Sequence, residues 1–394
     1  MSDPGGMLTR DQVVSVYRQA LEREPREDEI QAQLAGMPDL DALLRVALDS
    51  EEYAERLRRR GVNASHKQTV VNVFHPDLAE WGLPPGTRSS DGIAIVGREG
   101  WLFLCGGTNA NLDQYVGAAE MGPRWLEEWQ EALHRREAES RELGVATALL
   151  VVPDKLAVYE EHYPEELARV GPRPIERLLA VPDLPIVYPL AELRAAAASG
   201  EQVYMRTDTH LTFRGNELLF SSVLAGLEAL DPPDLSALPL RSYPVAGDLG
   251  VKFDPQIVGI VSEPGSLHEA HIVEDNRAEI AAVDGHIGTR RVFRNDRAPD
   301  SRVAVVFGDS FGFGAPNYQG LSWFLAQAFR EVHFVWVPFG WDADYVRRVG
   351  AQAVLVQGAE RFVARVPHAS VDVSRLAEET LRRKRPVGVE GVSR

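Results

Sequence analysis

A chain of 394 residues that is 44% hydrophobic can bury a substantial core, which excludes wholesale disorder and suggests one large domain with a smaller appendage, or two domains. A formal net charge of -16 argues against a polyanion partner such as nucleic acid; the one dense basic run, Arg382, Arg383, Lys384 and Arg385, reads as a solvated tail. The single cysteine, Cys105, rules out an intrachain disulfide and reads as a small buried residue in the apolar phrase LFLCGG.

The N-terminal phrase MSDPGGMLTRDQ lacks a basic segment followed by an apolar one, and no apolar run reaches the length of a membrane span, so the chain as written is expected in the cytoplasm. Residues 1–65 are expected to form a helical accessory domain. Val13, Tyr17 and Leu21 share one face at steps of four, and Leu40, Leu43, Leu44, Ala47 and Leu48 make a second apolar stripe that Asp39 would cap and Gly61 would end. The phrase YRQALEREP, residues 17–25, resembles the signature of a short helical domain attached to bacterial surface and glycan-modifying proteins. A generic amphipathic bundle that docks on the larger domain or on a protein partner fits the same residues equally well.

Strands alternate with helices over residues 66–375. The continuous apolar run VATALLVV (145–152) suits a strand buried on both faces; 185–188 and 203–205 are shorter candidates, and 303–307, 332–337 and 354–356 continue the series. This alternation predicts an α/β fold with a mainly parallel sheet flanked by helices. The segments 93–96 and 101–104 flank GREG and predict a hairpin. Residues 240–293, rich in Gly, Pro and short β-branched runs, are expected to be an antiparallel insertion or lid, and residues 376–394 a basic, flexible tail.

The strongest local signal is VAVVFGDSFGFG, residues 303–314. It places Ser310 just beyond the carboxyl end of a buried strand, where open α/β sheets bind ligands. A serine hydroxyl needs a neighbouring base to act as a nucleophile. Gly308 and Gly312 let backbone approach a substrate, and the Ser310 N–H can donate to an oxyanion. A plain strand-to-loop turn would look the same. Asp208 and His210 shift the balance. In an extended segment, residues two apart point to one side, so a carboxylate can hold Nδ1–H and leave Nε2 free as a base. The pair follows VYM and precedes a helix carrying Leu218, Leu219, Val223 and Leu227; two strand ends of one parallel sheet would bring it to Ser310. A Ser310–His210–Asp208 triad is therefore the favoured reading.

Other polar residues carry two readings each. Asp154, Lys155 and Tyr159 follow a buried strand end and suit either substrate contact or, preferably, a salt bridge at a helix start. Asp248 suits a turn or a cleft wall. Asn317 suits an oxyanion donor or, preferably, a loop cap. His268, His271 and His286 lack a compact ligand pattern and read as surface histidines, so no metal is expected. Gly106 and Gly107 open no G-x-x-x-x-G-K phosphate loop.

From about residue 67 to 370 the chain resembles the SGNH-hydrolase-like domain of the alginate O-acetyltransferase family. The resemblance rests on GREGWLFL (97–104), VPDKLAVYEEHYP (152–164), DTHLTFRG (208–215) and FGDSF (307–311), with fainter echoes in GDLG (247–250) and ERFV (360–363). In that family an Asp-x-His pair precedes the nucleophile, reversing the order of ordinary SGNH esterases. The resemblance implies an SGNH-hydrolase-like fold in which Ser310 takes the acyl group, His210 is general base and acid, Asp208 orients His210, and the Ser310 N–H contributes to the oxyanion hole. The family usually has Trp after the histidine; Leu211 stands there in this chain, so the resemblance carries the triad over but not the shape of the neighbouring pocket or an alginate-like acceptor.

The expected function is serine-dependent O-acetyl transfer to carbohydrate or glycan hydroxyls. No tightly bound cofactor is expected, and the acetyl donor is either acetyl-CoA or an acetyl group delivered by a partner. The resemblance leaves a periplasmic or extracellular setting open. Two other readings stand beside this one: a carbohydrate or small-ester acetylesterase with the same triad, and a non-catalytic glycan-binding or scaffold protein of a synthesis complex.

Overall fold

The computed structural model describes residues 8–17, 21, 23–37, 42, 43, 46, 47, 50, 52, 53, 71, 72, 83–232, 234–236, 238–254, 256–264, 269–283, 285–315, 318–368 and 370–383. Its strands, in chain order, are β1 (Val71–Asn72), β2 (Ala94–Val96), β3 (Leu102–Leu104), β4 (Ala146–Val152), β5 (Ile186–Val187), β6 (Leu240–Val245), β7 (Ile257–Pro264), β8 (His271–Asp275), β9 (Arg290–Arg294), β10 (Asp300–Gly308), β11 (Gly314–Ala315), β12 (Tyr318–Gln319), β13 (Phe329–Trp336) and β14 (Ala353–Ala359). Seven of them form the main sheet in the order β5-β4-β14-β10-β13-β9-β8. The first five run parallel; β9 is antiparallel to β13, and β8 to β9.

The apolar runs form these strands because both faces of the sheet are covered. Successive side chains alternate sides. Ala148, Leu150 and Val152 of β4, Ala304 and Val306 of β10, and Val332 and Phe334 of β13 enter one core with the helices Leu190–Ala198, Phe213–Leu224 and Leu321–Ala328. Leu149 and Val151, Val303, Val305 and Phe307, and Val354 and Val356 enter the other, with Trp125–Leu143, Pro174–Leu179 and Ala343–Val349. At about 1.5–3 kcal/mol for each large apolar side chain buried, these two layers dominate the stability of the domain.

The mainly parallel sheet is present, with three departures from expectation. First, residues 203–205 do not enter the sheet: Tyr204 makes an isolated antiparallel bridge to Leu211, closing a tight loop. Second, only part of 240–293 is an insertion. There β6 pairs antiparallel with β7, and β1 pairs parallel on the other side of β7, whereas β8 and β9 extend the main sheet. Third, the boundary expected at 375 falls inside the helix Val373–Arg383. Val373 and Leu376 pack on the second core and Ala377 lies against Gly288, so residues 376–383 belong to the domain. Arg382, from the basic run, pairs with Glu378 at 2.7 Å; Lys384 and Arg385 lie outside the described residues.

The β2–β3 hairpin around GREG is present, with Ala94 opposite Leu104. Glu99 (φ 54°) and Gly100 (φ 75°) make its tight turn in the left-handed region. At the N-terminus, Val13, Tyr17, Leu21, Leu43 and Ala47 share a small core with Val16, Ile30 and Tyr53. Leu40, Leu44, Leu48, Asp39, Gly61 and the boundary at 65 lie outside the described residues. Among the described residues no helix is long and apolar enough to cross a membrane.

Candidate active site

The turn that carries Ser310 is built from the end of β10. A Cβ on Gly308 would meet Gln357 Oε1 at 2.5 Å, and one on Gly312 would meet the Phe334 ring at 2.8 Å, so a side chain at either place would displace these neighbours. Asp309 is buried between two strand ends. Its Oδ1 accepts from Phe311 N–H (3.0 Å) and Gln357 Nε2 (2.8 Å), and its Oδ2 accepts from Ala359 N–H (2.7 Å). Its own N–H donates to Gln357 Oε1 at 3.0 Å. Every polar atom of Asp309 thus holds the turn, and Ser310 is left half-buried at the carboxyl end of the sheet. The Gly312 N–H is donated to the Asp309 carbonyl (3.0 Å), so Gly312 provides close packing and not an oxyanion donor.

His210 arrives on the loop that Tyr204 and Leu211 close. Met205 N–H donates to His210 O, and Thr212 N–H to Val203 O, each at 3.0 Å. Within the loop Asp208 Oδ1 accepts from the His210 backbone N–H (2.9 Å) and meets Nδ1 at 2.6 Å. The Asp248 N–H donates to Asp208 Oδ2 at 2.9 Å. With Nδ1–H donated to Asp208, Nε2 presents a lone pair to the Ser310 hydroxyl, 2.7 Å away. Asp208 and His210 are both buried, and the His210 ring packs on Phe311 with centroids 4.8 Å apart.

Burial by itself would raise Asp208, but the His210 charge and hydrogen bond, with two backbone donors, bring it down to about 2. Burial opposes protonation of His210, yet the Asp208 charge and hydrogen bond outweigh it and raise His210 above its ordinary value. A persistent carboxylate beneath a readily protonated imidazole is what a general base needs.

Asp248 lies on the wall of this site. Its carboxylate accepts from Thr209 N–H at 2.7 Å and from the Thr209 hydroxyl, and it lies 3.8 Å from His210 Nδ1. Desolvation and then the Asp208 charge push it upward. Asp208, His210 and Asp248 together have the spacing of a metal site; in the tautomer that donates Nδ1–H to Asp208, that nitrogen has no lone pair for a cation.

The other expected contacts point inward. Asp154, at the start of the helix Lys155–Val158, pairs its Oδ1 with Arg361 Nη1 at 2.9 Å in a buried salt bridge, as preferred from the sequence. Lys155 Nζ reaches three carbonyls of the His210 loop. The Tyr159 hydroxyl accepts from Val203 N–H (3.0 Å), and its ring stacks on Trp101 at 4.1 Å. Lys155 and Tyr159 thus hold the loop that carries His210, and Asp154 is tied to Arg361 after β14. Leu211 is fully buried in the core, against Gly215. Asn317 and His268 lie outside the described residues. His271 is exposed on β8, and His286 stacks on Trp336 at 4.9 Å.

Sequence reading missed Gln357 and Arg361. Gln357 did leave a signal, a buried amide in the otherwise apolar β14 sequence AVLVQGA. Arg361 lies over the Phe311 ring at 5.5 Å and sits in the ERFV phrase.

A family model described as "SGNH hydrolase-like domain, acetyltransferase AlgX" matches residues 94–338. No curated protein matches the sequence. Solved structures similar to this chain include the O-acetyltransferase domain of Pseudomonas putida AlgJ, at 18% identity and TM-score 0.43, covering 73% of this chain and 99% of that one. Bacillus cereus PatB1 with a sulfonyl adduct is similar at 12% identity and TM-score 0.44, covering 71% and 98%. Pseudomonas aeruginosa AlgX is similar at 13% identity and TM-score 0.34, covering 75% and 65%. Because the family match spans more than half of the sequence and contains Asp208, His210 and Ser310, this chain belongs to the AlgX family of SGNH hydrolase-like acetyltransferases.

Proposed function

We propose that the protein transfers an acetyl group to a carbohydrate or glycan hydroxyl through an acetyl-serine at Ser310. The observation that carries this reading is the continuous hydrogen-bond chain from Asp208 through His210 to Ser310. In the first half-reaction Ser310 Oγ attacks the acetyl carbonyl while its proton passes to His210 Nε2. The tetrahedral oxyanion meets the Ser310 N–H, which starts a helical turn and has no intrahelical acceptor. The leaving group departs with the proton from His210. An acceptor hydroxyl then gives its proton to His210 and attacks the acetyl-serine, and Ser310 Oγ leaves with that proton. Transfer outruns hydrolysis when the acceptor is held in place and water is excluded.

The donor is an activated acetyl group: acetyl-CoA for a cytoplasmic enzyme, or an acetyl group relayed by a membrane partner for a periplasmic one. Intact-mass analysis after incubation with p-nitrophenyl acetate should show one acetyl increment in the parent chain and none in Ser310→Ala. An adduct that survives in Ser310→Ala overturns the acetyl-serine. Release of free acetate that no added glycan diverts into an acetylated product would identify an esterase instead.

A further inference from the structure

Lys155 opens the short helical turn after β4, and its side chain is buried. Nζ donates to the carbonyl oxygens of Met205 (3.0 Å), Arg206 (3.1 Å) and Asp208 (2.8 Å). An ammonium has three protons and no acceptor, so these carbonyls take all that it offers, whereas a neutral amine has only two protons to give. The Trp101 and Phe103 rings flank Nζ at 5.7 and 5.6 Å.

Three carbonyl dipoles converging on one point repel one another unless a cation sits there. The loop they belong to lies outside the sheet and ends in His210. Burial lowers Lys155 to about 7, while the Asp248 and Asp208 charges act to keep its proton on. Of the other charged groups around this loop, Asp154 is paired with Arg361, His210 with Asp208, and the Arg206 guanidinium with the Glu99 carbonyl.

We propose that Lys155 is a positioning residue: its ammonium gathers the Met205, Arg206 and Asp208 carbonyls and so aims the Asp208 carboxylate at His210. The triad is then fully assembled only while Lys155 carries its proton. This role rests on the acetyl-serine reading above.

The test is the pH dependence of the p-nitrophenyl acetate burst in the parent chain, Lys155→Met and Lys155→Arg, with Ser310→Ala as a blank and thermal melting as a check of folding. Lys155→Met should lower the acetylation rate by about 10²-fold, the cost of a small misplacement of a catalytic group, with little change in KM for the ester. Lys155→Arg, cationic at every pH tested, should recover part of the rate and lose the alkaline limb of the parent profile. In the parent chain, the low-field proton resonance of His210 Nδ1–H should fade in step with that limb.

A Lys155→Met rate within twofold of the parent, a Lys155→Arg profile that keeps the parent's alkaline limb, or a low-field resonance that persists through it each overturns the role. If Lys155→Met fails to fold, the Lys155→Arg profile and the parent resonance decide. A Ser310→Ala burst equal to the parent's would instead overturn the acetyl-serine reading itself, and this role with it.

Discussion

At the scale of single residues, the proposed chemistry depends on how His210 is poised. Its pKa lies above 6.5 because the Asp208 charge outweighs burial, so activity should fall as the pH drops through that raised value and Nε2 becomes protonated. Asp208→Asn should keep the fold but reverse the tautomer, since the amide can donate where the carboxylate accepted. A loss of about 10⁴-fold in kcat is expected, as at other serine triads, with the acid limb moved to lower pH. A pH–rate profile of both chains checks this, and an unshifted limb would mean that Asp208 does not set the His210 pKa. Ser310 and the Asp-x-His pair were legible in the sequence because small residues after an apolar run and two acid–base groups at spacing two are local patterns. Lys155 and Asp154 were visible as residues but without their partners. Those partners, the loop carbonyls and Arg361, lie about 50 and 207 positions away, and no local pattern encodes such pairings.

At the scale of elements, Leu211 shows what a loop residue can be doing. It bridges to Tyr204 and packs where a Cβ on Gly215 would meet its Cδ2 at 2.7 Å. A tryptophan in its place would overfill this core at about 1–3 kcal/mol. Leu211→Trp should therefore lower the melting temperature and disturb the triad from beneath, without changing which acceptor is preferred. Melting curves beside acceptor competition would reveal the opposite outcome. Strand segments were readable wherever both faces are buried, as in β4, β10 and β14. Residues 203–205 misled because a short apolar triplet looks alike in a sheet and in a buried loop. The strands β8 and β9 were mistaken for part of an insertion because β8, at the edge, has every residue exposed and β9 buries only Val292 and Phe293 among arginines, so neither shows an apolar run.

At the scale of the whole molecule, stability should respond to buried carboxyls away from the triad. Glu263 is 1% exposed, its Oε1 has no partner among the described residues, and burial pushes its pKa up to about 8. In the unfolded chain it titrates near 4.5. Between those values the folded state binds more protons, so stability falls as pH rises from about 4.5 to about 8 and stays low above it. Glu263→Gln should raise the melting temperature at pH 8.5 by several degrees and change it little at pH 5; equal shifts at both would exclude this account. The architecture of a sheet between two helical layers was legible as a whole, because alternation of strands and helices is a property of the entire chain. The last helix was not, since its charged face hides the few apolar residues, Val373 and Leu376, that dock it.

The nucleophile and its base rest on supports of unequal kind. Ser310 opens the turn after a strand locked between two neighbours, while Asp208 and His210 hang on a loop that the sheet does not include. Chain order therefore carries no mechanical meaning for this triad: any connection that delivers such a loop to the carboxyl end of β10 closes the same circuit. A lineage of such enzymes is free to rewire that connection, before or after the serine, while its central strand stays untouched.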